Sequence, residues 1–295
     1  MHRKSPYQIK KRAAAVYLLL ALLAGWLTGW RTGDHVFEQT EGTDIVLPAI
    51  NSHAAILVDD KGQTLGTLRE EEPLPPASLT KLLTAWTVLQ HCPDLEQKVS
   101  VRSETLAKLI GTGASTAGLA VGETLTVREL LAALLRPSGA DAALVLAEHI
   151  SGSEKDFVRL MNEEAHALGM AHSHFANASG LEDDRQYSTA ADLMRLWQAV
   201  LSQEALKTIV TVEGAFERWP STLLKYDVPL DWPGGRILGG KTGYTKQAGQ
   251  CLASYAQVDG AYYYLVTLGA PGESSGSGSH LTDARTLYSW AAQTR

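Results

Sequence analysis

Ser78-Leu79-Thr80-Lys81 is followed directly by an uncharged run, Leu82-Leu83-Thr84-Ala85-Trp86-Thr87-Val88-Leu89. This run predicts a buried helix, and Pro75-Pro76 ends any regular structure before it. Ser78 is therefore expected in the first turn, where backbone N–H groups are free to face an anion. A spacing of three residues puts the Ser78 hydroxyl and the Lys81 amine on one face. The stretch predicts a nucleophile beside its base.

A lysine is a base near neutral pH only when the pKa of its amine is lowered. Burial and a second nearby cation both lower it, and Lys241, in Lys241-Thr242-Gly243, is the candidate for the second cation. Either motif alone has a structural explanation. Ser-x-x-Lys is common by chance, and Lys241-Thr242-Gly243 by itself is typical of an ordinary strand entry.

The 295-residue chain is 45% hydrophobic and 20% charged, which suits one large globular domain or two small ones. After residue 33 lie all 32 acidic residues and 20 of the 26 basic ones, giving 20 minus 32, or −12. This charge argues against a nucleic-acid partner. Cys92 and Cys251 are too few for a disulfide framework, and we expect two buried thiols. Because the histidines and cysteines show no ligand spacing, neither a metal nor a cofactor is expected.

The first thirty residues differ in kind. An uncharged run from Ala13 to Trp30 follows five cations, which are Arg3, Lys4, Lys10, Lys11 and Arg12. A basic segment before an apolar one predicts export. As a helix the run would be roughly 27 Å long, nearly the thickness of the bilayer hydrocarbon. No well-placed A-x-A follows it, so we favour an uncleaved signal anchor over a cleaved signal peptide for residues 1–30, with a polar linker at 31–44.

The remaining patterns predict strands at both ends of a domain with helices between them. The predicted helices after the first are 127–135, 140–150, two that begin at the caps Ser153 and Thr189, and a last one through Trp290. The predicted strands are 54–58, a segment near 65, 236–238, 252–256 and 262–268. This order indicates an α/β (α+β) fold, an antiparallel five-stranded sheet flanked by helices with a helical lobe. A groove between lobe and sheet would hold the site.

Three stretches in order, Ser78-Leu79-Thr80-Lys81, Ser138-Gly139-Ala140 and Lys241-Thr242-Gly243, resemble the motifs of penicillin-binding proteins and serine β-lactamases. More closely, the chain resembles the low-molecular-mass D-alanyl-D-alanine carboxypeptidases. Supporting stretches are Leu135-Arg136-Pro137-Ser138-Gly139-Ala140-Asp141-Ala142, Asn177-Ala178-Ser179-Gly180-Leu181, Tyr187-Ser188-Thr189-Ala190-Ala191-Asp192 and Lys241-Thr242-Gly243-Tyr244-Thr245. The resemblance covers about residues 45 to 292 and implies a DD-peptidase (transpeptidase-like) catalytic domain of the DD-peptidase/β-lactamase type over 45–295.

The resemblance implies a role for each matching residue. Ser78 would attack the carbonyl between the two terminal D-alanines, with Lys81 as the general base, and Ser138 would pass a proton to the leaving amine. The residues implied in substrate binding are Lys241 and Thr242 for the substrate carboxylate, Gly243 for close backbone approach, and Tyr244, whose N–H would form the oxyanion hole with that of Ser78.

The implied function is a penicillin-binding, serine-type D-Ala-D-Ala carboxypeptidase that acts on peptidoglycan stem peptides through an acyl-enzyme. Its partners would be that peptide and, as acylating inhibitors, β-lactam antibiotics. Two alternatives stay open, a D,D-endopeptidase acting on cross-links and a catalytically impaired cell-wall-binding homologue. The chain ends at Arg295, just after the last predicted helix, and an expected lack of a further C-terminal domain keeps the endopeptidase open. The expected location is the extracytoplasmic face of the bacterial cytoplasmic membrane, or outside the cell if the signal is cleaved.

Two positions depart from the family pattern. The third residue of the middle motif is usually asparagine, which would contact the substrate backbone, and here it is Ala140. An alanine side chain forms no hydrogen bond, so Ser115 and Thr116 are candidates to replace the lost contact. Near the last helix, a basic residue expected to help bind the substrate carboxylate is replaced by His280.

Overall fold

The computed structural model describes residues 47–213 and 216–294. The predicted export segment at 1–30 and the predicted linker at 31–44 lie outside these ranges, so both stay predictions. Within the described ranges, every helix is too short or too polar to cross a membrane.

The main sheet of the described residues has six antiparallel strands in the spatial order β2-β1-β8-β7-β6-β5. The strands are β1 (Ala54–Asp59), β2 (Thr64–Leu68), β5 (Asp231–Trp232), β6 (Gly235–Thr245), β7 (Gly249–Val258) and β8 (Ala261–Ala270). Strands from both ends of the domain meet inside the sheet, where Ile56 of β1 lies opposite Val266 of β8. The predicted antiparallel five-stranded sheet is confirmed, and the two-residue β5 adds a short edge strand.

Eight helices are described, and three of them begin at a residue whose side chain caps a free backbone N–H group. Their bounds are α1 (Thr80–His91), α2 (Ser103–Ala107), α3 (Val127–Leu135), α4 (Ala140–Ser151), α5 (Glu154–Ala167), α6 (Ala190–Ser202), α7 (Glu204–Val210) and α8 (Ser279–Gln293). Thr126 and Glu129 form a capping box at α3. Ser153 and Thr189 accept hydrogen bonds at the starts of α5 and α6, as the sequence predicts.

The main sheet separates two hydrophobic cores. The larger core joins one face of the sheet to the helical lobe and includes the fully buried Leu82, Leu130 and Trp197. The smaller core joins the other face to α8, with Leu287 packed in the same cluster as Leu265. Each fully buried leucine contributes about 1.5–3 kcal/mol of transfer free energy. The lobe and the sheet are therefore held together by burial, and a groove opens where they meet.

The sequence patterns do not predict several short elements. Strands β3 (Lys98–Ser100) and β4 (Thr124–Thr126) pair in a separate two-stranded sheet, and helices α2 and α7 span five and seven residues. Elements of this length complete too few periods to leave a recognisable pattern. The two cysteines are buried free thiols, as expected.

Candidate active site

Ser78 lies in a 3₁₀ turn, Ala77–Leu79, just before α1 rather than inside its first turn. Ala77 has a left-handed backbone with φ +47°. Two glycines lie against this turn. A Cβ on Gly180 would lie 2.0 Å from the Ala77 carbonyl oxygen, and one on Gly243 would lie 3.1 Å from the Ser78 nitrogen. Glycine thus lets two distant segments approach the nucleophile closely.

Lys81 is the polar neighbour of Ser78. Its Nζ donates to Ser78 Oγ at 3.0 Å and also to the backbone carbonyl of Ser179. The side chain is buried, and this burial lowers the pKa of Lys81 to about 7, although the negative charge of Asp141 opposes the shift. An amine that loses its proton near neutral pH can accept one from a hydroxyl. The pair therefore has the geometry and the pKa of a nucleophile and its base.

A second serine and lysine form a matching pair. Lys241 Nζ donates to Ser138 Oγ at 2.9 Å and to the Thr242 carbonyl at 2.6 Å. Burial lowers the pKa of Lys241 well below its usual value, and the nearby charges of Lys81 and Lys225 lower it further. A positive charge on one of these lysines disfavours a positive charge on the other. The two buried amines together therefore bind fewer protons at a given pH than two exposed lysines would.

The middle motif is fixed by the arginine before it. The buried guanidinium of Arg136 donates to the backbone carbonyls of Trp219 at 2.6 Å, Thr211 at 2.7 Å and Ile209 at 3.1 Å. Ser138, two residues later, has an uncommon left-handed backbone with φ +69°. Carbonyl oxygens thus satisfy the buried cation, and the anchored segment holds Ser138 in the conformation that directs its hydroxyl to Lys241.

Asp141 fixes the loop that faces the middle motif. Its buried carboxylate accepts hydrogen bonds from the backbone N–H groups of Ala117 at 2.8 Å and Leu119 at 3.1 Å. The Ala140 N–H donates to the Ser115 carbonyl at 2.8 Å. The start of α4 is therefore joined to this loop by hydrogen bonds from two successive residues.

A cavity of about 490 Å³ opens over Ser78 and Lys81. Ala140 and Ser115 are both in its wall, on the side of the helical lobe. Thr116, the other predicted substitute for the missing asparagine, does not line the cavity. Of the two predicted substitutes, Ser115 is therefore the one placed to contact a ligand beside Ala140.

Strand β6 forms the opposite wall of the site. Among the described residues, its segment 240–245 pairs with β7 on one side only, because β5 pairs with Gly235 and Arg236 alone. An extended peptide can add to such an unpaired strand edge through backbone hydrogen bonds. Tyr244 and Thr245 line the cavity along this edge.

The Lys241 end of this strand is rich in cations and hydroxyl groups. Thr242 Oγ1 donates to Thr222 Oγ1 at 2.8 Å. Lys225 lies close enough for its charge to lower the pKa of Lys241, after burial and Lys81. The positive charges and hydroxyl groups are the features of a site for a carboxylate.

His280, which replaces the expected basic residue, supplies no cation to the site. Its ring is fully buried, Nδ1 donates to Gln250 Oε1 at 2.8 Å, and Tyr226 packs edge-on at 4.5 Å. Burial lowers the pKa of His280 to about 4, against the charge of Asp283, so the ring is neutral at pH 7. It is also absent from the cavity wall.

The structure brings all the predicted site residues to this groove. Those lining the cavity are Ser78, Lys81 and Tyr244, and those packed or hydrogen-bonded beside it are Ser138, Lys241, Thr242 and Gly243. The structure does not test their chemical roles or the oxyanion hole, which stay predictions.

The sequence patterns do not predict two groups that form hydrogen bonds at the site. Ser179 acts through its backbone carbonyl, which no motif specifies, and Thr222 comes from a segment without a recognisable pattern. Asn177 is the turn residue that the sequence indicates, because its Oδ1 accepts from the N–H of Gly180 at 2.7 Å and of Leu181 at 3.2 Å. That turn nevertheless presents the Ser179 carbonyl to Lys81, so it also orients the base.

Comparison with known proteins agrees with this geometry. This chain is similar in structure to the solved Streptomyces K15 DD-transpeptidase, with a TM-score of 0.73 and 27% sequence identity. The match covers 84% of this chain and 100% of the transpeptidase chain. The described architecture is thus that of a known DD-peptidase fold.

Curated relatives extend the comparison. The D-alanyl-D-alanine carboxypeptidase DacF of Bacillus subtilis is 31% identical over 250 residues, which are 79% of this chain and 61% of the relative. The D-alanyl-D-alanine carboxypeptidase DacD of Escherichia coli is 32% identical over 259 residues, which are 83% of this chain and 64% of the relative. The chain thus spans less than two thirds of the length of these relatives. The family model described as D-alanyl-D-alanine carboxypeptidase, peptidase S11, matches residues 40–272, and the chain belongs to this family of serine peptidases.

Proposed function

We propose that this protein is a serine-type D-Ala-D-Ala carboxypeptidase that removes the terminal D-alanine from peptidoglycan stem peptides. The observation that carries the proposal is the pair of serine–lysine contacts made by two buried lysines, Lys81 with Ser78 and Lys241 with Ser138. The names of the two carboxypeptidase relatives support this reaction, and the endopeptidase alternative is not better supported. The four side chains in place argue against the impaired homologue.

Acylation begins with Ser78 and Lys81. The neutral amine of Lys81 takes the hydroxyl proton while Ser78 Oγ attacks the carbonyl carbon of the penultimate D-alanine. The backbone N–H groups of Ser78 and Tyr244 stabilise the oxyanion that forms. Burial of Lys81 supports this step, because it keeps part of the amine neutral at pH 7.

The leaving D-alanine needs a proton and a place for its carboxylate. Ser138 donates a proton to the leaving nitrogen as the peptide bond breaks, and Lys81 returns to Ser138 the proton that it took from Ser78. Lys241 and Thr242 bind the carboxylate, whose negative charge raises the lowered pKa of Lys241 and keeps it cationic. Water then hydrolyses the ester, releasing the shortened peptide and restoring Ser78. A β-lactam acylates the same serine by the same first step.

We place this reaction outside the cytoplasmic membrane of a bacterium, with residues 1–30 as the membrane anchor. The basic and then apolar composition of that segment supports the placement. The substrate is also an extracytoplasmic polymer, so function and export are consistent.

The test uses the purified protein beside Ser78→Ala, whose hydroxyl group is missing. Each is incubated with a fluorescent penicillin and, separately, with a pentapeptide that ends in D-Ala-D-Ala. Covalent labelling together with release of D-alanine, both lost in Ser78→Ala, is the expected result. Labelling without release would contradict the carboxypeptidase activity, and a complete lack of labelling in the folded wild type would contradict acyl-enzyme chemistry altogether.

A further inference from the structure

The catalytic cavity adjoins a second, wider hollow. The second hollow has a volume of about 830 Å³, and its walls are 182–185 on one side and Lys246 and Gln247 on the other. Glu182 and Lys246 line both hollows, so the two spaces adjoin at these side chains. A ligand that extends from Ser78 past Thr245 would enter the second hollow.

The direction of strand β6 decides which part of the substrate lies there. Gly243 passes closest to Ser78, with Lys241 and Thr242 on one side of it and Lys246 on the other. In the proposed function the leaving D-alanine occupies the Lys241 side, because its carboxylate needs the cation. The acyl part of the peptide therefore runs toward Thr245, the last residue of β6, about 7 Å beyond Gly243 at about 3.4 Å per residue, and Lys246 begins the turn that follows. The long side chain of the third stem residue, next to the acylating D-alanine, reaches this region.

Most charges of the second hollow already have partners. Asp183 forms an ion pair with Arg185 at 2.8 Å. Glu182 accepts from the Gln247 N–H at 3.0 Å, and its carboxylate fixes the turn that follows β6. Lys246 and Asp184 are different. Among the described residues neither side chain has an ion pair or a side-chain hydrogen bond, although the charge of Lys246 helps, after the hydrogen bonds from Gln247 and Thr245, to lower the pKa of Glu182. One ammonium and one carboxylate therefore have no direct partner there.

Resting on the proposed function, we propose that Lys246 and Asp184 form a specificity subsite for the third residue of the stem peptide. The subsite selects a side chain that ends in both an ammonium and a carboxylate group, the carboxylate pairing with Lys246 and the ammonium with Asp184. A ligand with only one of these charges leaves one protein charge unpaired, and a neutral one leaves both.

The test compares D-alanine release from two pentapeptides that end in D-Ala-D-Ala. In one, the third residue is a diamino dicarboxylic acid whose side chain ends in a free ammonium and carboxylate; in the other it is Nε-acetyl-lysine, which is neutral. The measured quantity is the ratio of the two kcat/KM values. We expect wild type to favour the doubly charged peptide about three- to fivefold, as partly exposed charge pairs do.

Variants assign the preference to the two residues. In Lys246→Gln and in Asp184→Asn the ratio falls toward one, whereas Lys246→Arg keeps it because the cation is retained. Lys207→Gln is the matched control, since Lys207 is an exposed lysine of α7 outside both hollows. The control keeps the wild-type ratio.

The outcomes separate this inference from the proposed function. Release from both peptides with a ratio of one in wild type, or a ratio unchanged in both Lys246→Gln and Asp184→Asn, would overturn the subsite alone. If neither peptide releases D-alanine and penicillin does not label the protein, the proposed function is overturned, and the subsite with it.

Discussion

Two groups of charges in the same groove behave in opposite ways. Lys81 and Lys241 are 2% and 0% exposed, and their ammonium groups contact hydroxyl and carbonyl oxygens. Arg185 and Asp183 beside the second hollow are 73% and 26% exposed in their side chains and pair with each other. Burial lowers the pKa of both lysines, whereas solvent screens the exposed pair. The comparison shows that burial gives these lysines lowered pKa values, whereas the exposed charges in the same groove only pair with one another.

Removing the buried base gives the largest expected effect. In Lys81→Met the side chain keeps its length but has no proton acceptor, so we expect acylation by fluorescent penicillin to slow by about 10²- to 10⁴-fold. Lys207→Met, a change of an exposed lysine in α7, is the matched control and keeps the wild-type rate. A wild-type labelling rate in folded Lys81→Met would show that the buried lysine is not the base.

The second buried pair is tested by removing its serine. Ser138→Ala leaves Lys241 without its 2.9 Å hydroxyl partner and removes the proposed proton donor to the leaving amine. We expect D-alanine release to fall by about 10²-fold, at the low end of the range for a general acid. Ser100→Ala, at an exposed position of β3, serves as the control. Release at the wild-type rate in Ser138→Ala would remove that serine from the mechanism.

The pH dependence separates a buried lysine from an exposed one. Lys81 is a base only when it is neutral, and its pKa is about 7, so the acylation rate should rise as pH increases through about 7. One pH unit below that value only about a tenth of the amine is neutral, which predicts a rate about tenfold lower. Penicillin labelling rates between about pH 5 and 9 test this. A profile that begins to rise only near the usual pKa of lysine would contradict the shift caused by burial.

Two glycines with similar backbones test how tightly the buried region is packed. Gly180 has φ +84°, and a Cβ there would lie 2.0 Å from the Ala77 carbonyl oxygen. Gly152, at the end of α4, has φ +75° and nothing within 4 Å. Gly152→Ala should cost about 1–2 kcal/mol from backbone strain alone, and Gly180→Ala about 1–3 kcal/mol more from overpacking.

The glycine comparison is measured by urea unfolding and penicillin labelling. Because the added methyl group would displace the turn that holds Ser78, only Gly180→Ala is also expected to label slowly. Equal losses of stability in the two variants would contradict the close approach of the two segments.

The smallest effect is expected on the exposed side of the comparison. Arg185→Gln removes the cation that pairs with Asp183 on the rim of the second hollow. Because solvent and salt screen exposed charges, we expect no change in Tm beyond experimental scatter. Thermal unfolding at low and high salt tests this, and a loss of Tm as large as that in Gly152→Ala would show that the exposed pair matters more than screening allows.

Much of the fold follows from local sequence. Helices α5 and α6 are predicted from their caps at Ser153 and Thr189, and α1 from the uncharged run after Lys81. The predicted strand segments correspond to five strands of the main sheet. The three motifs also identify the residues that meet at the groove. The carbonyl of Ser179 and the hydroxyl of Thr222 escape prediction, since a backbone atom has no sequence signature and a partner distant along the chain is chosen only by packing.

By itself the sequence determined which residues are candidates for the chemistry, because a serine, its neighbouring lysine and the later motifs depend on residue type and short spacing. The tertiary structure decided what those residues can do. Packing of β6 and the 177–180 turn against the Ser78 turn removes water from Lys81, and this desolvation sets its pKa. The tertiary structure also shows that His280 is buried and neutral. Desolvation depends on what covers a group from every side, and that is a property of the folded chain alone.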